Sequence, residues 1–362
     1  MRHTKVLQIA AATVAAFGVA LVPGVATPAT AAQAHRGAAP ASAAIPFTEA
    51  TVTVAPDEDG TYTIAWKAPG IRHVAISANG RTVAGGGSEG SVTVAGLPAA
   101  DRQWFTLTPS HGRPLRLADR LIKLEGTVNF RDVGGYRTGD GHWVKMGAIY
   151  RSDALDKLTP DDLAKLERLS VHTVYDLRMD SERGAAPDRV PAGATYVVAD
   201  VLAGADVFSA MPTTADEAEQ GMIGQEKFMI SGATAKAAYT RVFDGIESGD
   251  GGVVFHCTSG KDRTGWQNAA LLTALGVPRS TVMADYLASN TYRAEANAAS
   301  LRQLPAEQAA IYKPLVYVQP EYLNAGYQEV EEEYGTFRGY LKEAVGMDAR
   351  DVRALKQELL VG

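Results

Sequence analysis

The segment His256-Cys257-Thr258-Ser259-Gly260-Lys261-Asp262-Arg263-Thr264-Gly265 holds the only cysteine of a 362-residue chain. Five residues separate that cysteine from Arg263. The loop runs from the apolar Val253-Val254-Phe255 into segment 264–275, which is apolar on nearly every side. The first reads as a core strand and the second as a buried helix. A turn from strand to helix points successive backbone N–H groups into one concavity. The helix N-terminus adds partial positive charge at the same spot. An anion with several oxygens, such as phosphate, fits such a cradle. Cys257 lies at its base, where these groups favour the thiolate, the nucleophilic form. Arg263 carries a planar fork able to grip two phosphate oxygens, which a lysine's point charge cannot do. Gly260 permits close backbone approach. Thr264 can hydrogen-bond the sulfur and ease its departure. Thr258, Ser259 and Lys261 complete the loop, and His256 is read as its organiser, through hydrogen bonds to the backbone. These residue types in this order predict phosphoryl transfer to cysteine.

The order His-Cys, five residues, Arg, Thr-Gly resembles the signature of the cysteine-based protein tyrosine phosphatases. Three further segments sharpen the likeness: Asn129-Phe130-Arg131-Asp132-Val133-Gly134-Gly135-Tyr136, Tyr150-Arg151-Ser152-Asp153 and Ala284-Asp285-Tyr286-Leu287. With Lys261-Asp262 inside the loop, they are similar to a bacterial branch of that family typified by a secreted mycobacterial enzyme of broad substrate range. The resemblance spans roughly residues 124–360. It implies attack by Cys257 on phosphorus, a phosphocysteine, and its hydrolysis by water. It implies phosphotyrosine as substrate, with phosphoserine, phosphothreonine and phosphoinositides beside it. Lys261 would then be a second cation for an inositol headgroup. Arg131 and Asp132 would lie near the pocket as substrate-binding residues; the plainer reading is a salt-bridged turn. Arg178 and Asp153 are weaker candidates. A tyrosine leaving group benefits from a proton donor, yet no Trp-Pro-Asp tripeptide occurs in the chain. The resemblance points to Asp262 as that acid. Asp200, Asp206 and Asp176 are alternatives, and a plain ion pair with a loop cation is the other reading of Asp262.

The elements that must position this loop read as α/β. From about residue 124 strands alternate with helices, which implies a parallel sheet flanked by crossover helices. Thr159-Pro160-Asp161-Asp162 is a helix start. Residues 323–341 carry apolar side chains at spacings of four and three and read as one long amphipathic helix; another begins at Asp348. Residues 46–122 differ: short alternating runs every 10 to 15 residues, with Asn79-Gly80 as a hairpin turn, read as a small β-sandwich of fibronectin III or immunoglobulin type. The catalytic region would be 123–362. A detachable sandwich predicts that its removal leaves aryl-phosphate turnover largely intact. Residues 32–45 read as a flexible linker. Arg2 and Lys5 before an apolar run at 6–22, then small residues at 29–32, read as a signal peptide over 1–31 and hence a secreted protein.

Composition narrows the field. A net charge of −6 argues against broad binding to nucleic acid or anionic membrane. With the signal removed, no stretch is apolar enough for stable membrane insertion. The seven histidines are scattered without ligand spacing, so no metal and no cofactor is expected. Gly86-Gly87-Ser88-Glu89-Gly90 matches a serine-hydrolase elbow in letters only, since it links two short strands. Two other functions compete: a phosphate-binding or adhesive protein without turnover, and a rhodanese-like sulfurtransferase, which Thr264-Gly265 disfavours.

Overall fold

The structure, a computed structural model, describes residues 44–54, 60–205, 211–249 and 251–362. The expected signal peptide, nearly all of the expected linker, and Asp206 lie outside these residues.

Seven strands form the N-terminal sandwich: β1 (Glu49–Val54), β2 (Tyr62–Lys67), β3 (Val74–Ala78), β4 (Arg81–Gly86), β5 (Glu89–Val94), β6 (Trp104–Pro109) and β7 (Leu115–Ala118). One sheet has the order β1-β2-β5 and the other β4-β3-β6-β7, all antiparallel. Alternation builds them: in β1, Ala50 and Val52 face inward while Glu49, Thr51 and Thr53 face solvent. Asn79 and Gly80 both take positive φ, as the two-residue hairpin between β3 and β4 requires. The Gly-x-Ser-x-Gly letters fall at the passage from β4 to β5. There the Trp66 indole N–H donates to the Gly87 carbonyl at 3.1 Å.

The second region comprises β8 (Arg131–Asp132), β9 (Trp143–Val144), β10 (Ile149–Ser152), α1 (Pro160–Arg168), β11 (Val171–Asp176), α2 (Asp180–Ala185), β12 (Thr195–Val198), α3 (Ala215–Ser231) and α4 (Ala233–Glu247). It continues with β13 (Gly252–His256), α5 (Arg263–Leu275), α6 (Arg279–Tyr292), α7 (Ala294–Arg302), α8 (Ala306–Val316), α9 (Pro320–Tyr334), α10 (Phe337–Glu343), α11 (Ala349–Leu359) and β14 (Leu360–Val361). Its five-stranded sheet has the order β12-β11-β13-β10-β8, parallel except for β8. The central strand β13 is buried at every residue, and α5 at every residue but Thr273. The fold is α/β, with helices flanking the parallel sheet and the all-β sandwich before it. In a parallel sheet, ligands bind beyond the carboxyl ends of the strands, and β13 delivers Cys257 there.

Two expectations change. The long helix over 323–341 is two helices: Gly335 takes φ +68°, ending α9, and Thr336 caps α10 by accepting from the Gly339 N–H. The sandwich also shares its core with the second region. Residues 42–362 form one compact unit, and Trp143 of the second region is part of the sandwich core, with Met146 and Val361 packed against it. β9 pairs with β14 beside this contact. The shared core predicts that removing the sandwich costs stability, measurable as a lower thermal midpoint of the truncated chain.

Candidate active site

Cys257 directly follows β13 and is buried. The loop returns into α5, whose first residue is Arg263. Gly260 takes φ +66°, and a Cβ there would lie 2.4 Å from the Ser152 carbonyl oxygen. Only glycine therefore allows the loop to pack on the end of β10. Thr264 is fully buried, and its hydroxyl oxygen makes no hydrogen bond, so the expected bond to the Cys257 sulfur is not formed.

The Arg263 fork is engaged by a residue that sequence reasoning missed. Its terminal nitrogens donate to the two carboxylate oxygens of Glu182 at 2.5 and 2.8 Å. The Thr258 hydroxyl donates to the same carboxylate, which also accepts from the Met179 N–H at 2.9 Å. Glu182 thus fills the fork with two oxygens, as two phosphate oxygens would. Burial alone would raise its carboxyl, but the Arg263 bonds outweigh burial and hold it at about 2.

Behind the loop lies a buried polar scaffold. Asn129 donates its amide to the carbonyls of Ser259 and Gly260 at 3.0 and 3.2 Å, and Arg151 donates to Gly260 at 2.8 Å. Arg131 and Arg151 converge on Asp285, at 3.3 and 2.6 Å, which also accepts from Tyr136 and Asn268. Burial opposes ionisation of Asp285, but the two guanidinium charges hold its carboxyl well below the usual range. Arg131 spends its remaining donors on Asn129, Ser289 and the Asp285 carbonyl. Asp132 holds the Gly134 and Gly147 N–H groups, each at 2.6 Å. Arg131 and Asp132 are therefore fully buried with their bonds spent inside the protein, and Arg131 supports the loop only through Asn129. Their expected substrate contact gives way to the buried form of the salt-bridged turn. Asp153 is likewise structural, accepting from the Val128 and Asn129 N–H groups and pairing with Arg293.

His256 is fully buried. Its Nδ1 lies 3.4 Å from the Cys257 carbonyl and its Nε2 3.0 Å from Asp188, so it stands below the cradle. Asp176 and Asp188 crowd this histidine in a set that could suit a metal ion. The guanidinium of Arg178 already stands between them, 2.7 and 2.8 Å from their oxygens. Burial would raise the Asp176 carboxyl, but Arg178 holds it far below the usual range. Asp200 faces Arg183 at 3.4 Å and accepts from the Leu202 N–H. Asp262 stays in the loop, with both carboxylate oxygens on the Lys261 ammonium at 2.9 and 2.8 Å. Lys261 and Asp262 spend their charges on each other, and each must leave the pair to act on a substrate. A second missed acid, Glu226 of α3, is fully buried and accepts from the Tyr286 hydroxyl at 3.1 Å. Burial, then the Asp262 charge, push its carboxyl well above the usual range. A groove of about 870 Å³ lies between α10, α11 and the far end of α5 and contains none of the loop residues.

Residues 122–361 match the tyrosine phosphatase family. The chain belongs to that family. Among curated relatives, a Cupriavidus necator protein named as a tyrosine-protein phosphatase is 31% identical over 235 residues, 62% of this chain and 84% of its own. The triple specificity protein phosphatase PtpB of Mycobacterium tuberculosis is 30% identical over 279 residues, 66% of this chain and 98% of its own. A tyrosine-protein phosphatase of Nostoc commune is 26% identical over 234 residues, 60% of this chain and 75% of its own. The crystal structure of P. aeruginosa TpbA aligns with a TM-score of 0.26 at 16% identity, covering 48% of this chain and 89% of that one. That likeness is too low to carry an argument. The chain is a protein-tyrosine phosphatase.

In the phosphatase, Glu182 offers a pH test. Its carboxyl falls from an ordinary 4.5 to about 2 on folding. A depressed carboxyl contributes stability above its unfolded value and loses it as pH falls through the folded one. Denaturant midpoints of the wild type are expected to exceed those of Glu182→Gln at pH 7. The gap should close between about pH 4.5 and 2. A gap independent of pH would mean that the ion pair to Arg263 is not its source.

Proposed function

We propose that this phosphatase is secreted and cleaves phosphotyrosine, with phosphoserine, phosphothreonine and phosphoinositides as further substrates, through a phosphocysteine on Cys257. The observation that carries the reading is the Arg263 fork, which shares Glu182 with Thr258 of the cysteine loop and holds two anionic oxygens that phosphate oxygens would replace. The Cys257 thiolate attacks phosphorus in line, forming the S–P bond as the ester P–O bond breaks. Asp262, released from Lys261 and protonated, gives its proton to the departing oxygen. A water then attacks the phosphocysteine and Asp262 takes the water proton. Inorganic phosphate leaves and the thiolate is restored. The wider range rests on the buried ammonium of Lys261 in the loop and on the mycobacterial relative's name as a triple specificity phosphatase. Secretion rests on Arg2, Lys5 and the apolar run at 6–22.

The test is a panel of phosphotyrosine and phosphoserine peptides and short-chain phosphoinositides, read as inorganic phosphate released. Turnover of phosphotyrosine alone would narrow the reading, and turnover of none would overturn it. The acid has its own test. Asp262→Asn is expected to slow phenyl phosphate by about 100-fold and nitrophenyl phosphate far less, because the better leaving group needs no proton. Equal losses for both esters would move the acid elsewhere.

A further inference from the structure

Arg102 lies between β5 and β6, in the sandwich and outside the residues that match the family. Its side chain is nevertheless buried. One terminal nitrogen donates to Asp132 Oδ2 at 2.5 Å and the other to the Asp119 carbonyl at 2.9 Å. Asp132 is fully buried, and Arg102 is the cation that faces it among the described residues. A buried carboxylate stripped of its partner is strongly unfavourable, so Asp132 depends on the sandwich for its charge balance.

Asp132 is one residue from the scaffold behind the cysteine loop. In β8, Asp132 pairs with Tyr150 and Arg131 with Arg151 on β10. Arg131 also anchors Asn129, which together with Arg151 holds the Ser259 and Gly260 carbonyls. The path from Arg102 through Asp132 and β8 to the loop is therefore continuous in hydrogen bonds and backbone. Trp104 adds a second contact: the Arg102 and Arg116 guanidinium groups stack on its ring at 4.6 and 4.0 Å. Arg116 shares that ring, but no bond runs from it to Asp132.

We infer that Arg102 is a positioning residue for phosphate-ester hydrolysis, the sandwich supplying the cation that fixes β8 and through it the cysteine loop. This rests on the reading of Cys257 as nucleophile. The sandwich is then a working part of the phosphatase, with no separate partner needed to explain its presence.

The test uses the full chain with Arg102→Met, Arg102→Gln and, as control, Arg116→Met. Two readouts are taken: kcat and KM for an aryl phosphate, and amide hydrogen exchange at residues 257–263. Arg102→Met is expected to lower kcat by about 10-fold, as small misplacement of a reacting group does, and to speed exchange in the loop. Arg102→Gln keeps a donor without the charge and should give the same changes at smaller size. Arg116→Met should match the wild type in both. Wild-type kcat and loop exchange in a folded Arg102→Gln or Arg102→Met would overturn the inference, as would an equal loss in Arg116→Met. Loop exchange reports the coupling even if Cys257→Ser retains turnover, so failure of the nucleophile reading is seen separately.

Discussion

Cys257→Ser is expected to lower kcat for an aryl phosphate by ~10⁴-fold or more while the protein stays folded. The reason is nucleophilicity. A serine hydroxyl is not ionised at neutral pH, and among the described residues no histidine or carboxylate is bonded to the Cys257 side chain to take its proton. The fold should tolerate the change, because oxygen for sulfur is a small alteration at this buried position. Neither the Arg263 fork nor the carbonyls of Ser259 and Gly260 bond the sulfur itself. The variant should therefore still bind phosphate or vanadate, measurable as a shift in thermal midpoint. Wild-type turnover from Cys257→Ser would remove the nucleophile from the account.

The second large effect belongs to Arg263→Lys, expected to lower kcat/KM by about 100- to 1,000-fold, the scale of losing one oriented donor at a developing anion. A lysine ammonium cannot span two oxygens in a fixed plane. It would also leave Glu182 with a point charge in place of the bonds at 2.5 and 2.8 Å. The loss should appear in both kcat and vanadate inhibition, because the fork serves bound phosphate and the transition state alike. Steady-state kinetics with vanadate as inhibitor checks it. A kcat/KM within a few-fold of wild type would show that the fork does not hold the phosphoryl group.

The cysteine loop was legible in the sequence because every position has a local reason. Strand, glycine, fork and helix start are all within one ten-residue window. What lies around it was less so. Arg131 and Asp132 stand in a segment whose importance shows, but residue types do not say on which side of a loop a side chain ends. Burial settled that, closing both side chains off from solvent. Glu182 had no motif. It follows β11, and only the sheet order, with Asp176 opposite His256 in register, brings it to the cysteine loop. Such a pairing is non-local, and the strand order was not readable from one chain. The break at Gly335 was masked by apolar spacing that continues across it. Arg102 was invisible for a related reason, since its partner Asp132 lies thirty residues on, across a boundary that composition drew too sharply. The sandwich itself was visible from its alternation, while its shared core with Trp143 was not.

The central claim is a phosphoryl group carried by Cys257, and acid quenching during turnover tests it most directly. Wild-type enzyme mixed with excess aryl phosphate, quenched within the first turnovers and digested, should yield the peptide containing Cys257 with the added mass of one phosphoryl group. The same modification should be missing from Arg263→Lys or present at far lower yield. Phosphate released at the wild-type rate with an unmodified Cys257 peptide, or with the phosphoryl group on another residue, would contradict the account.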